Sequence, residues 1–324
     1  MADVAALARV SGQTVSRVVN ASPRVDPETR RRVEDAMERL GYRPHRAARA
    51  LRTGRTQTIG LVAATLASVG NARMLQAVAD AAASRSYSLV VSTLGDRRDI
   101  AGAFERLREQ GVDGAIVLNE ATELARGSAT PRDLELVVVD SPPDARFTIV
   151  QTDHAGGARS AVEHLLGLGH EVVHHIGGPE GSFAAAERER GWREALAAAG
   201  VPEPPAVRGD WAAASGFAAA KRLVAEAPTL SAVFTANDQM ALGLVRALAE
   251  AGCHVPDEVS VVGFDDVVDA ADYLPPLTTV RQDFDRLGET AVAALVAGIE
   301  ADGPRGLPAI PTELVIRAST RRRG

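Results

Sequence analysis

Four side chains suited to binding hydroxyl groups stand at the ends of apolar or helical segments in the second half of the chain: Arg188, Trp211, Asn237 and Asp265. Carboxylate and amide groups hydrogen-bond hydroxyls, a guanidinium donates in a fork, and an indole face covers the apolar face of a sugar ring. Each of these residues alone also fits a helix cap or a turn. Together they predict a site for a small polyhydroxylated ligand.

Patterns typical of catalysis, metal binding or cofactor binding are weak in this sequence. Cys253 adjoins His254, but neighbours in sequence cannot easily form a nucleophile–base pair. The histidines at positions 170, 174 and 175 lie at a candidate strand. The alternation of side chains in and out of a sheet explains their placement better than metal binding does. The glycine-rich run 177–181 lacks both the GxGxxG pattern and a P-loop lysine. We therefore expect a protein that is not an enzyme and that needs no metal or cofactor.

Charge is distributed unevenly along the 324 residues. Residues 1–55 contain twelve arginines and six acidic residues, although the whole chain has a formal net charge of −6. A basic head on an acidic body is typical of a nucleic-acid-binding module joined to a second domain. The single cysteine suits a reducing compartment, and no run resembles a signal peptide or a membrane span. We expect a cytoplasmic protein with no membrane partner.

Two short helices joined by a tight turn are predicted at the start of the chain. Residues 3–10 carry an apolar stripe that includes Leu7, and Ser11 can cap the helix 13–20 that follows. Pro27 opens a third helix with apolar residues at 33, 36, 37 and 40. This pattern predicts a helix-turn-helix head that seats its second helix in a major groove. A small helical bundle with a solvated polar face is the alternative.

The head resembles that of the LacI/GalR family of repressors in DVAALA (3–8) and VSGQTVSRVVN (10–20), and the likeness continues through 30–33 and 41–44. The resemblance implies that Gly12, Gln13 and Arg17 read bases, and Gln and Arg can indeed make bidentate contacts with base edges. It also implies a set of residues that mostly hold phosphates: Ser11, Thr14, Ser16 and Asn20. We add Arg24 to these expected DNA contacts.

Residues 45–57 are predicted to link the head, residues 1–44, to the rest of the chain. Arginine recurs there every three residues, at 46, 49, 52 and 55. These arginines would repel one another in the absence of DNA and would pair with phosphates on DNA. The segment has helix-forming composition but is too short to be stable alone. The resemblance implies a hinge helix that folds on DNA, with Ala48, Arg49 and Leu51 in contact and Leu51 wedged into the minor groove.

Strands and alanine-rich helices alternate from Thr58 onward. The candidate strands are 59–63, 89–93, 115–118, 136–139, 172–176, 232–235 and 260–264. Apolar strands separated by helices predict parallel sheets that are covered on both faces. The strands are too many for one compact sheet and fall into two groups. We expect an α/β core, 58–324, of two doubly wound parallel-sheet subdomains that is periplasmic-binding-protein-like, splits near 150 and crosses over near 280.

The core also resembles the LacI/GalR family, in the segments 188–192, 209–211, 236–243, 261–266 and 274–284. The resemblance places five residues around an effector: Arg188, Trp211, Asn237, Asp265 and Phe284. Parallel sheets bind ligands at the carboxyl ends of their strands, which agrees with this assignment.

The sequence as a whole predicts a homodimeric, DNA-binding transcriptional repressor. We expect it to bind double-stranded operator DNA, to be nucleoid-associated when bound, and to be released by a small sugar, with a galactoside-like sugar as the first guess. One alternative is a regulator that a co-repressor activates. Another is a sugar-binding transport protein on the same core fold, which would need a signal peptide and no basic helical head.

Overall fold

The computed structural model describes residues 1–19, 22–42, 54–95, 98–129, 131, 133–300 and 306–323. The chain divides into two units, residues 1–57 and residues 58–324. Among the described residues, no helix has the length and apolar character needed to cross a bilayer.

The first unit contains three helices, α1 (Ala2–Ala8), α2 (Gly12–Val19) and α3 (Pro27–Arg39). They pack on a small apolar core to which Val4, Val15 and Val33 each contribute a fully buried side chain. The Ser11 hydroxyl accepts a hydrogen bond from the Thr14 backbone N–H at 3.1 Å, so the predicted cap of α2 is present. The predicted helix-turn-helix arrangement is confirmed.

Two residues of the predicted apolar stripes in the head are exposed, Leu7 and Leu40. Leu7 is 45% exposed because the two turns of α1 bury only their inner face, which Val4, Ala5 and Ala8 already fill. Leu40 is 46% exposed because it is the C-cap of α3 and lies beyond the last helical turn.

The first sheet of the second unit is entirely parallel. Its strands are β1 (Thr58–Ala63), β2 (Ser88–Thr93), β3 (Gly114–Leu118), β4 (Glu135–Val139) and β5 (Thr148–Val150), in the order β2-β1-β3-β4-β5. The intervening helices are α4 (Val69–Ser84), α5 (Ile100–Glu109) and α6 (Glu120–Gly127). Strands β3 and β4 are almost wholly buried, as expected for a sheet covered on both faces.

The second sheet is parallel except at one edge. Its strands are β6 (His174–Gly177), β7 (Val207–Arg208), β8 (Ala232–Thr235), β9 (Ser260–Asp265), β10 (Thr278–Arg281) and β11 (Glu313–Val315), in the order β11-β10-β9-β8-β6-β7. Only β11 among these is antiparallel to its neighbour. The helices are α7 (His154–Gly167), α8 (Phe183–Ala199), α9 (Ala213–Glu226), α10 (Asp238–Glu250) and α11 (Phe284–Ile299). The predicted α/β core with two doubly wound sheets is confirmed.

The chain passes between the two sheets three times. After β5 it enters α7, which packs on the second sheet, and after β10 it enters α11, which packs on α4 and β4 of the first sheet. Ile310 then pairs with Thr152 before the chain returns to β11. As a result Phe284 and Leu287, which follow β10 of the second sheet in sequence, join the core of the first sheet.

Helices α9 and α10 approach so closely that glycine is required between them. A Cβ atom on Gly243 would lie 2.0 Å from the Ala213 carbonyl oxygen and 2.5 Å from the Phe217 backbone nitrogen. Neither backbone atom can swing aside as a side chain could. We therefore expect Gly243→Ala to lower the free energy of unfolding by about 1–3 kcal/mol in urea denaturation followed by circular dichroism.

The matched control for this substitution is Gly167→Ala at the end of α7, where a Cβ atom would meet nothing within 4 Å. That change should leave stability unchanged or raise it by up to about 1 kcal/mol, since alanine restricts the unfolded chain. Equal effects of the two substitutions would show that α9 and α10 are not packed as described.

Candidate functional site

A cavity lies between the carboxyl ends of the two sheets. The structure brings all five predicted effector-binding residues to its walls: Arg188, Trp211, Asn237, Asp265 and Phe284. The second sheet carries four of them, whereas Phe284 begins α11 on the side of the first sheet.

Arg188 is the charged centre of this cavity. Its guanidinium is buried on α8, with Nη1 3.3 Å from Asp265 Oδ1 and donating to the Ala236 carbonyl oxygen. Its Nε atom donates to His154 Nδ1 at 3.4 Å. The guanidinium carbon lies 3.9 Å from the ring centroid of Phe264, within the range of a cation–π contact. Burial lowers the pKa of Arg188, and the nearby Asp265 carboxylate opposes that shift.

Asp265 ends β9 and faces Arg188 of α8. Gln282 Nε2 donates to Asp265 Oδ1 at 2.6 Å, and the contact with Arg188 is made at the same oxygen. Among the described residues both contacts thus engage Oδ1, which leaves Oδ2 to accept from a ligand. Burial raises the pKa of the Asp265 carboxyl, and the charge of Arg188 opposes the increase.

Asn237 and Trp211 support each other at the second sheet. Asn237 is the N-cap of α10: its Oδ1 accepts from the Met240 backbone N–H at 2.9 Å, and its Nδ2 donates to the Trp211 carbonyl oxygen at 3.0 Å. Asn237 therefore combines a structural cap with a place in the cavity wall. The Trp211 ring lies over Gly178, where a Cβ atom would be 2.4 Å from the indole, and 5.4 Å from the Arg188 guanidinium.

The backbone at the cavity is unusual at several non-glycine residues. Positive φ angles occur at Asn119 (46°), Asp140 (56°), Trp211 (76°) and Asp265 (112°). Such angles are uncommon for L-residues and persist only where the surrounding structure enforces them. Their concentration at strand ends around one cavity is typical of a functional site.

The head presents a polar face on α2. Gln13 and Arg17 are exposed, together with Ser11 and Gly12, whereas Val15 on the opposite face is buried. The Ser11 and Thr14 hydroxyl groups are 3.0 Å apart. Ser16 is half-buried and Arg24 is exposed. The remaining predicted DNA contacts lie outside the described residues: Asn20, Ala48, Arg49 and Leu51.

Comparison with known proteins agrees with both units. The description "Bacterial regulatory proteins, lacI family" fits residues 1–45, and "Periplasmic binding protein-like domain" fits residues 162–320. The chain is 36% identical over 324 residues to the lactose operon repressor of Escherichia coli K12, covering 98% of this chain and 89% of that protein. The chain belongs to the lacI family. The family predicted from the sequence is thereby confirmed.

Solved structures of this family resemble the chain over nearly its full length. One is a lac repressor dimer bound to operator and the anti-inducer ONPF, with a TM-score of 0.86, 34% identity and 98% of both chains covered. Another is a complex of the transcriptional regulator CelR with cellobiose, with a TM-score of 0.71, 33% identity and 98% of both chains covered.

Several cavity residues were missed from the sequence because they come from the first sheet. Asn119 and Asp140 follow β3 and β4, so the rule that ligands bind at strand carboxyl ends would have found them. His154 lies beneath the cavity, with Nε2 3.1 Å from Asp140 Oδ1 but not aligned for a hydrogen bond. Gln282 follows β10, a strand that the sequence did not predict, and it contacts Asp265 in the cavity wall.

Two of the three histidines weighed as metal ligands, His170 and His175, have hydrogen-bond partners in the core. His170 is hydrogen-bonded to Ser231 and Ser260, and His174 is half-buried on β6. His175 is fully buried, stacks on the Phe234 ring at 4.9 Å, and has Nδ1 3.0 Å from the Phe234 carbonyl oxygen. Burial lowers the pKa of His175 to about 3.

This burial predicts an acid-sensitive contribution to stability. The unfolded chain protonates His175 near pH 6.5 and the folded chain only near pH 3, so the free energy of unfolding falls as pH decreases through that window. Between pH 6.5 and 5 we expect the wild type to lose roughly 2 kcal/mol more than His175→Gln in urea titrations. Identical losses in the two proteins would contradict a buried neutral His175.

Proposed function

We propose that the chain is a transcriptional repressor whose operator binding is controlled by a small uncharged sugar in the cavity between the sheets. The observation that carries this is the convergence of Arg188, Asp265 and Trp211 on one cavity in a chain with a basic helix-turn-helix head. The CelR–cellobiose complex and the operator-bound lac repressor support it. Its role is binding rather than catalysis, and it acts in the cytoplasm.

The cavity suits the chemistry of a sugar. Asp265 Oδ2 can accept from a hydroxyl, Arg188 can donate to one, and the indole of Trp211 can cover the apolar C–H face of the ring. Phe284 closes the opposite wall with a second apolar ring. This combination of charged hydrogen-bonding groups and aromatic faces matches polyols better than it matches extended apolar ligands.

DNA binding is assigned to a homodimer. We propose a head of residues 1–44, a hinge of 45–57 and a core of 58–324, with one head reading one half-site of a two-fold operator. Gln13 and Arg17 on the exposed face of α2 are proposed to read bases. The arginines of the hinge, among them Arg49, are proposed to neutralise phosphates.

Effector and operator are coupled through the two sheets of the core. The chain crosses between them three times, so they can change orientation only by bending these connections together. A sugar held by Asp265 on one sheet and by Phe284 on the other favours one orientation, and the operator favours another. Because binding linkage is reciprocal, the sugar then weakens operator binding by the factor by which DNA weakens sugar binding.

Removing the carboxylate charge of Asp265 should uncouple sugar binding from operator binding. We expect Asp265→Asn, which preserves the side-chain volume, to weaken sugar binding about 10- to 150-fold, since hydrogen bonds to charged groups contribute about 1.5–3 kcal/mol. Operator affinity should stay near wild type, giving a repressor that sugar does not release. Isothermal titration with sugars and gel shifts at fixed salt measure the two effects.

The matched control is Asp257→Asn, which removes an exposed carboxylate that pairs with Arg321. It should change neither binding constant. Arg188→Ala should abolish the response to sugar as Asp265→Asn does, but it also leaves Asp265 buried without its cation and should lower stability. Wild-type sugar affinity in Asp265→Asn would place the effector elsewhere.

Base-reading and phosphate-binding residues should separate by salt dependence. Arg17→Ala and Gln13→Ala should each cost about 1–3 kcal/mol on the preferred operator and relax base preference. Arg49→Ala should weaken binding to all sequences alike and lower the log–log salt slope by about 0.9 for each phosphate that is no longer neutralised. Gel shifts at several salt concentrations on matched and scrambled operators give both quantities, and the reverse division would mean that α2 faces away from the bases.

A further inference from the structure

The wall of the cavity nearest the first sheet carries one carboxylate whose hydrogen bonding is incomplete. Glu120 is the first residue of α6 and lines the cavity. Its Oε1 accepts a hydrogen bond from Trp211 Nε1 at 3.0 Å, so the contact spans the two sheets. Its Oε2 is buried and has no hydrogen-bond partner among the described residues. A buried oxygen of this kind is stabilised by any donor that enters the cavity.

The backbone holds Glu120 in place. The preceding residue, Asn119, has a φ of 46°, and its Nδ2 donates to Asn71 Oδ1. Asn71 in turn donates to the Thr65 carbonyl oxygen at 2.9 Å, which ties the loop after β3 to the loop after β1. Glu120 therefore enters the cavity from a constrained turn rather than from a loose surface loop.

Trp211 is also held by contacts other than the one with Glu120. Its ring lies against Gly178, and its carbonyl oxygen accepts from Asn237 Nδ2 at 3.0 Å. Both contacts lie within the second sheet, so the second sheet supports Trp211 as well. The unpartnered Oε2 of Glu120 belongs to a residue that lines the cavity, so a role beyond the indole contact is open to it.

The charged side chains around the cavity restrict further which class of ligand it can bind. Three carboxylates line it, those of Glu120, Asp140 and Asp265, against the single guanidinium of Arg188. The walls therefore accept hydrogen bonds more readily than they donate them, and they carry excess negative charge. An anionic ligand such as a sugar phosphate would be repelled, whereas a neutral polyol can donate its hydroxyl protons to these oxygens.

We propose that Glu120 is the effector-selecting residue of the first sheet, and this rests on the proposed function of the cavity as a sugar site. Oε2 accepts a hydrogen bond from a hydroxyl of an uncharged sugar, while Oε1 keeps its contact with Trp211. The carboxylate also excludes phosphorylated sugars. Glu120 thus gives the first sheet a polar contact with the effector, complementary to Asp265 on the second.

The decisive variant is Glu120→Gln in the full-length protein. Glutamine can still accept from Trp211 through its amide oxygen, but it presents an amide N–H₂ group where Oε2 stood. Its effect therefore reports the ligand-facing oxygen and not the indole contact. The matched control is Glu123→Gln, the same change at an exposed position on the same helix.

Calorimetric titrations with galactose, glucose, ribose, lactose and cellobiose, and with galactose 6-phosphate and glucose 6-phosphate, test the assignment. We expect the wild type to bind at least one neutral sugar and to bind its 6-phosphate more weakly. Glu120→Gln should weaken binding of that sugar about 10- to 150-fold, with melting temperature and operator affinity unchanged. Glu120→Asp keeps the charge but has a side chain shorter by one methylene group, so the carboxylate is drawn back and sugar binding should also weaken. Glu123→Gln should not weaken sugar binding.

Two outcomes would overturn the assignment alone: a Glu120→Gln protein that binds the sugar like wild type while Asp265→Asn does not, or a wild type that prefers the sugar phosphate to its parent. A wild type that binds none of the neutral sugars would overturn the assignment and the proposed function together. If Glu120→Gln loses sugar binding and also has a lowered melting temperature, the Glu120→Asp variant decides between the two explanations. Wild-type sugar affinity in Glu120→Asp would also overturn the assignment.

Discussion

The burial of the Arg188 guanidinium is the constraint around which the rest of the cavity is organised. Removing a cation from water costs several kcal/mol unless charges and acceptors replace the solvent. Asp265 supplies the charge, the Ala236 carbonyl an acceptor, and Phe264 a ring face. These groups come from the ends of β8 and β9, so satisfying one side chain of α8 also fixes where those two strands stop. These contacts engage Asp265 Oδ1, so Oδ2 is the oxygen available to the proposed ligand.

The same constraint explains why the cavity can transmit a signal. Arg188 and Asp265 pair with each other on the second sheet, which also carries Asn237, whereas Glu120 and Phe284 stand on the side of the first sheet. Across the gap the described polar contacts are few, and the hydrogen bond from Trp211 to Glu120 is one of them. A ligand that contacts both sheets across this gap can therefore select one relative orientation of them.

Much of the fold could be predicted from the sequence because its buried strands are continuous apolar runs. Strands β1, β2, β3, β4, β8 and β9 were placed to within one residue at each end. Strands β5, β7, β10 and β11 were missed, and they have only two to four residues. The segment Thr278–Arg281 is a strand because it pairs in register with β9. The local pattern of apolar residues does not show which strand lies beside a segment. Leu7 was predicted to belong to the buried face of α1, because the spacing of apolar residues does not show how wide the buried face of a two-turn helix is.

The sequence by itself determined the family, the helix-turn-helix head and the residue types of the cavity, because local spacing and side-chain chemistry are enough to recognise Gln13, Arg17, Arg188 and Asp265. Only the tertiary structure decided which groups face one another. Phe284 lies on the side of the first sheet because α11 crosses back to pack there, and Glu120 meets Trp211 across 91 positions of the chain. Residues so far apart in sequence become neighbours because the chain crosses repeatedly between the two sheets. The local sequence pattern around either residue does not show this contact.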